Sequence, residues 1–221
     1  MFSPTKPLRV VLWDMDGTLT DSAPAILPAM QTTLARRLGI DCPQSDLMRF
    51  IGPPLSYTFK QFAPDADSHQ IASLVSTYRQ EYRRHVNKTQ LFPGIIETVA
   101  LLYADGIKQG IATAKLESNA KTIAGDLGIS GYMGVIAGSD EDETHATKAE
   151  IIGRALRSLD ADAQSSVMVG DRIHDIEGAN ANQLGTIIVT WAGTTQPGEA
   201  QQAWQKVGNT QQLNYLLGTL C

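Results

Sequence analysis

The chain has 221 residues, of which 43% are hydrophobic and 19% charged, and a formal net charge of −5. This composition supplies the core of one large domain, or of a domain with a modest second unit. The acidic balance argues against nucleic acid as the main partner, because a phosphate backbone is met by a basic face. No apolar run is long enough to cross a bilayer.

The one basic cluster, Arg79, Arg83 and Arg84, reads as the solvated outer side of a helix. Cys42 and Cys221 form no C-x-x-C or Cys/His spacing, which points to a reducing cytoplasm rather than a zinc or redox site. The short polar stretch 1–7 runs straight into a strand and does not read as a signal peptide. The Asn87-Lys88-Thr89 sequon is therefore a chance match.

In chain order, an apolar run from Leu8 to Trp13, broken only by Arg9, predicts a buried strand. It stops at Asp14-Met15-Asp16-Gly17-Thr18-Leu19-Thr20, where two carboxylates stand two residues apart. Leu27, Met30, Leu34 and Leu38 then share a helical face that Gly39 terminates. Pro24 suits a first turn and Pro28 a bend. A short helix over 45–50 leads into the rigid turn Ile51-Gly52-Pro53-Pro54-Leu55, followed by a helix over 55–62. Ile71, Leu74, Val75, Tyr78 and Tyr82 mark a longer amphipathic helix starting near Asp67 or Ser68. Residues 20–89 thus read as an all-helical block.

After Phe92-Pro93-Gly94 the pattern alternates. Strands are predicted over 107–113, 134–137, 166–169 and 186–190, with helices over 95–104, 117–127, 148–159 and 175–183. Two helical stretches, 200–207 and 210–217, are expected to close the chain. The alternation implies an α/β fold with a Rossmann-like parallel sheet, helices on both faces and an inserted all-α cap. The expected core is 1–19 and 90–221, and the expected cap is 20–89. Segments 19–22 and 90–93 are the expected hinges.

Ligands of open α/β sheets bind at the carboxyl ends of strands. Asp14 and Asp16, Thr113 to Lys115, and Gly170 to Asp175 all stand at such ends, and Lys148 begins a helix. The chemistry that suits this set is phosphoryl transfer through an aspartate. Clustered carboxylates repel one another, and a divalent cation such as Mg²⁺ removes the conflict. Asp14 could then stay ionised and attack phosphorus, while Asp16 protonates the leaving oxygen and deprotonates water. Thr113 can donate to phosphoryl oxygens and Lys148 can offset their charge. Lys115 reads equally as a phosphate contact or as an exposed residue near the next helix.

The string Asp14-Met15-Asp16-Gly17-Thr18-Leu19-Thr20-Asp21-Ser22, followed in order by Thr113, Lys148 and Gly170-Asp171 through Asp175, resembles the four motifs of the haloacid dehalogenase superfamily. The helical insertion resembles the branch with a small cap, and segment 51–55 the cap loop of its phosphoglycolate phosphatase-like members. The resemblance implies a metal site of Asp14, Asp171 and the backbone carbonyl of Asp16, with Asp175 orienting metal-bound water or Lys148. Ala114 stands where many relatives have Asn, and Ala149 where many have Pro. The 138–152 string looks like a sub-branch labelled phosphoglycolate phosphatase or 5′-nucleotidase.

The implied activity is Mg²⁺-dependent hydrolysis of a small phosphomonoester, phosphoglycolate-like or a nucleoside monophosphate, by a cytoplasmic monomer or homodimer. A sugar phosphomutase and a non-catalytic phosphate-binding module are the alternatives. Dehalogenase activity would leave Asp16 and Asp171 unexplained. Segment 51–55 is expected to face substrate, with Arg49 as an anion contact. His69, His85 and His145 read as surface residues, His174 as a loop residue, and the acidic run 139–143 as a solvated loop. Gly128, Gly131 and Gly134 do not form G-x-G-x-x-G.

Overall fold

The computed structural model describes residues 2–140 and 147–220. His145, Cys221 and positions 141–143 of the acidic run lie outside the described residues. In chain order the elements are β1 (Val10–Trp13), β2 (Thr20–Asp21), α1 (Ala23–Leu38), α2 (Gln44–Leu47), α3 (Leu55–Phe62), α4 (Ser68–Tyr82) and β3 (Gln90–Leu91). They continue with α5 (Ile95–Ala104), β4 (Lys108–Leu116), α6 (Glu117–Asp126), β5 (Val135–Ser139), α7 (Lys148–Ser158) and β6 (Ser166–Gly170). The last are α8 (Ile173–Ala181), β7 (Gly185–Val189), β8 (Gln205–Val207) and α9 (Thr210–Gly218).

Six strands form one parallel sheet in the order β5-β4-β1-β6-β7-β8. Successive side chains of β1 point to opposite faces, as the pleat requires. Val10 and Leu12 join the apolar layer of Ile151, Ile152 and Ala155 from α7. Val11 and Trp13 join Ile95 and Val99 of α5, Ile123 of α6 and Leu213 of α9 on the other face. Burial on both faces explains why β1 reads as a continuous apolar run rather than an alternation.

Between β2 and β3 lies the helical insertion. Gly39, at φ 67°, adopts the left-handed conformation that ends α1, and Pro28 is accommodated inside that helix. α4 opens on a capping box: Asp67 Oδ1 accepts from Gln70 N at 2.8 Å while Gln70 Oε1 accepts from Asp67 N at 2.8 Å. α1 packs on α4 through Met30, Leu34, Leu74 and Tyr78. Arg36 Nη1 reaches Glu81 Oε1 at 2.6 Å across the same contact. The apolar cluster is continuous from the sheet into the insertion through Met15, Leu19 and Ile26.

Three expectations are corrected. Residues 205–207, expected to be helical, form β8 on the sheet edge, where Val207 pairs with Val189. Only a single 3₁₀ turn, Ala200–Gln202, precedes it. Thr20 and Asp21, assigned to an all-helical block, pair antiparallel with Leu91 and Gln90. The strand expected to end at Thr113 continues through Leu116 after a register shift, because β5 extends alongside and Leu116 pairs with Ser139.

Candidate active site

The sheet order puts β1 between β4 and β6, so the three strand ends that carry acids, a threonine and a lysine are adjacent. Asp14 follows directly on β1 and is only 4% exposed. The turn after it closes through Gly17 N, which donates to Thr20 O, and Thr20 Oγ1, which donates to Met15 O. Gly17 sits at φ 85°, and a Cβ there would collide with the Asp171 carboxylate. Backbone strain and lack of space therefore both demand glycine. Gly17→Ala is expected to cost about 2–5 kcal/mol, read as a lower urea midpoint, and to weaken divalent-cation binding by displacing Asp171.

Lys148 reaches in from the first turn of α7. Its Nζ lies 2.6 Å from Asp14 Oδ1 and 2.8 Å from Asp175 Oδ1. Burial works to lower its pKa, but the charges of Asp14 and Asp175 outweigh burial and raise it, so the ammonium is retained. Asp175 Oδ2 accepts the amides of Asp171 and Arg172, each at 3.1 Å. Asp175 is thus spent on shaping the loop and steering Lys148.

Asp171 is fully buried. Thr194 Oγ1 donates a short hydrogen bond to its Oδ2, and Thr18 Oγ1 donates to its Oδ1 at 3.3 Å. Burial, then the charges of Asp14 and Asp175, push the Asp171 pKa well above the carboxylate range. Burial, with Asp175 and Asp16 adding and Lys148 opposing, lifts Asp14 to about 6. Asp14, Asp171 and Asp175 each offer a carboxylate oxygen within 4.8 Å of the others. Buried, mutually repelling hard oxygens of this kind suit a divalent cation. Asp16 Oδ1 is buried without a hydrogen-bond partner among the described residues, and its Oδ2 lies 2.9 Å from Lys115 Nζ.

Asp14, Asp16, Thr113 and Lys115 share the wall of a cavity of about 60 Å³ with Ile51, Gly52, Pro53, Tyr78, Arg79 and Tyr82 of the insertion. Both strand-end acids and segment 51–55 therefore meet at one opening. Lys115, left open by the sequence between a phosphate contact and an exposed residue, has a side chain only 7% exposed. Arg49 is exposed and its guanidinium lies 4.8 Å from the Phe50 ring centre, so it does not line the cavity. His174 is on α8 rather than in a loop, with its ring edge-on to Tyr57 in a separate groove of about 410 Å³.

Five residues escaped the sequence reading. Arg79 borders the cavity instead of facing outward with Arg83 and Arg84. Tyr78 and Tyr82, read only as an apolar stripe, also border it. Thr194 belongs to the segment after β7, another strand end, so the strand-end rule could have found it. Arg172 is buried, and its Nη1 donates to the carbonyls of Arg49 and Ile51 at 2.9 and 2.6 Å while Nε lies 3.2 Å from Glu199 Oε2. No local pattern reveals that three-way contact.

Residues 11–189 match the haloacid dehalogenase-like hydrolase family. The chain belongs to this family. A 5′-nucleotidase of Pseudomonas aeruginosa is 36% identical over 179 residues, covering 80% of each chain. The tyrosine-protein kinase PtkA of Mycobacterium tuberculosis is 34% identical over 191 residues, which cover 86% of this chain and 64% of that protein. The chain thus spans about two thirds of the length of that relative. A crystal structure of a Clostridium acetobutylicum protein described as a predicted phosphatase superposes with a TM-score of 0.92 at 29% identity, covering 97% of this chain and all of the other. The family is one of hydrolases that generally use a divalent metal, and phosphatases stand among these relatives. Among the described residues, no helix is long and apolar enough to cross a membrane.

Proposed function

We propose that the chain is a Mg²⁺-dependent phosphatase of small phosphomonoesters that works through an aspartyl-phosphate. The observation that carries this reading is the Asp14 carboxylate, held 2.6 Å from Lys148 at a buried strand end and bordering the same small cavity as Asp16. In the proposed reaction a carboxylate oxygen of Asp14 forms a bond to phosphorus as the ester P–O bond breaks. Asp16 gives its proton to the departing alcohol oxygen and later takes one from the water that attacks the aspartyl-phosphate. Inorganic phosphate leaves and the Asp14 carboxylate is restored.

Thr113 Oγ1 accepts the amide of Lys115 at 3.2 Å, which leaves its own proton for a phosphoryl oxygen. Lys148 offsets charge beside Asp14, and Asp175 positions it. The cation would be held by the carboxylates of Asp14 and Asp171 with the Asp16 backbone carbonyl, and would supply charge neutralisation around the phosphoryl group. Residues 20–89 act in this proposal as a cap over a core of 1–19 and 90–221. The small cavity favours compact substrates.

The test is release of p-nitrophenol from p-nitrophenyl phosphate by the purified chain. Turnover should require Mg²⁺, vanish with EDTA and return on adding the metal back. Full turnover in EDTA would overturn the metal-dependent reading, and full turnover of Asp14→Asn would overturn the covalent one.

A further inference from the structure

Arg172 takes no part in the proposed chemistry, yet it is buried where the core meets the insertion. A guanidinium carries five N–H donors in a rigid, planar fork. Nη1 donates to the carbonyls of Arg49 and Ile51 at 2.9 and 2.6 Å. Nε and Nη2 donate to the two oxygens of Glu199 at 3.2 and 3.4 Å. One edge of the fork thus serves the insertion and the other serves the core. Gly52, at φ 103°, allows the loop to lie this close, because a Cβ there would stand 3.0 Å from Arg172 Cγ. Ile51, Gly52 and Pro53, immediately above the fork, line the cavity that Asp14 and Asp16 border.

The support behind Arg172 also reaches Asp171. Glu199 Oε2 accepts the amide of Gln196 at 2.8 Å, and Gln196 Nε2 donates to Thr194 O at 2.7 Å. Thr194 Oγ1 donates to Asp171 Oδ2, and Thr195 Oγ1 donates to the Asp171 carbonyl at 2.8 Å. Segment 194–199 therefore grips Asp171 at one end and the Arg172 side chain at the other. A buried ion pair adds little net stability, because desolvation offsets most of the attraction. This one supplies geometry instead. If segment 49–51 moved away, Nη1 would lose two charge-assisted acceptors together.

We propose that Arg172, braced by Glu199, is a positioning residue that seats segment 49–52 over the cavity and ties that seat to the setting of the Asp171 carboxylate. The proposal rests on the phosphatase reading and deepens it by saying how the two halves of the site are assembled. Arg172 itself touches neither the reacting atoms nor the cation. When Asp171 is held by a cation, its carboxylate, Thr194 and segment 194–199 are fixed together, and with them the fork beneath Arg49 and Ile51. Linkage is reciprocal, so seating of segment 49–52 and filling of the cation site favour each other.

The first test is amide hydrogen exchange over residues 48–62 of the full chain, in EDTA and in Mg²⁺. In wild type Mg²⁺ should slow exchange there about 10-fold, as expected when charge-assisted contacts are secured. Arg172→Lys keeps a cation for Glu199 but has no fork to hold both carbonyls, so the slowing should disappear. Arg172→Met alone would strand the Glu199 charge, so the companion variant is the double change Arg172→Met with Glu199→Gln. It removes both charges, keeps an acceptor for Gln196, and should retain a urea midpoint near that of wild type while losing the Mg²⁺ effect. Slowing that survives in both variants, or is absent from wild type, would overturn the proposal.

Kinetics separate positioning from a merely structural role. With saturating Mg²⁺, the double variant should show a KM for p-nitrophenyl phosphate raised about 10-fold, because only the seated fraction binds substrate well. Its kcat should stay within about 2-fold, since saturating substrate still draws segment 49–52 into place. An unchanged KM would overturn the positioning role. No hydrolysis by wild type with the Mg²⁺ effect on exchange intact would sink the phosphatase reading alone. Hydrolysis with exchange indifferent to Mg²⁺ would sink the coupling alone.

Discussion

Asp14→Asn should eliminate turnover while making the cation-free protein more stable. Loss of the proposed nucleophile leaves only binding and charge stabilisation, so kcat should fall about 10⁴-fold or more. The stability change follows from the rise of Asp14 from 3.8 to about 6. Because the folded value lies above the unfolded one, the folded chain holds the extra proton between those two pH values. The Asp14 contribution is therefore most favourable below the unfolded value and declines as pH climbs to about 6. At neutral pH that rise corresponds to about 3 kcal/mol of destabilisation. Asparagine removes the charge but keeps an acceptor for Lys148, so the variant should gain about 2 kcal/mol at pH 7 in EDTA. For a chain of this size that is about 5 °C in Tm. Calorimetric scans at pH 4.5 and 7 should show the gain at pH 7 and its contraction at pH 4.5. An unchanged or lower Tm at pH 7 would contradict the charge argument.

Lys148→Met should damage both stability and turnover. It removes the ammonium that lies within hydrogen-bond reach of both Asp14 and Asp175 and leaves those buried acids beside Asp171. Breaking a buried pair from one side costs about 3–5 kcal/mol. The sign follows from the raised pKa values of Asp14 and Asp171. The cost should be full above pH 6, where Asp14 is ionised, and should shrink as pH falls below that value and Asp14 takes up its proton. Mg²⁺ should restore part of the stability by supplying charge, without restoring turnover, which should fall about 10³-fold or more. Urea midpoints with and without Mg²⁺ check the first effect and phosphate release checks the second. A midpoint equal to wild type at pH 7 would show that the cluster is not held ionised by Lys148.

Much of the architecture is legible in the chain because it rests on local signals. The apolar stretch of β1, the glycine after α1 and the acids at strand ends all act over a few residues. The helix α3 lies over the expected residues, directly after the rigid turn that ends in Pro54 and Leu55. What the chain conceals depends on distant partners. Gln205, Lys206 and Val207 are too few to separate a period of two from one of 3.6, and only pairing with β7 makes them a strand. Arg79 directly follows Tyr78 on the flank of the apolar stripe, so its place depends on what packs over that flank. Lys115 remains ambiguous in sequence because its burial comes from Tyr82, 33 residues away along the chain. Arg172 joins segments 121–123 residues upstream and 27 residues downstream.

The two-rung ladder of β2 and β3 is the smaller of the two sheets among the described residues, yet it would govern how the proposed cap can travel. The chain crosses between core and insertion twice, and two independent strands would let the helices twist, slide and tip. Thr20 with Leu91 and Asp21 with Gln90 fasten the crossings side by side. Phe92 N, bonded to Leu19 O at 3.0 Å, extends the seam by one more link. If the insertion moves as the proposed cap, this seam would make the two crossings act as one short plate, confine opening to a single swing, and bring α4 back to the same height above β4 on closing.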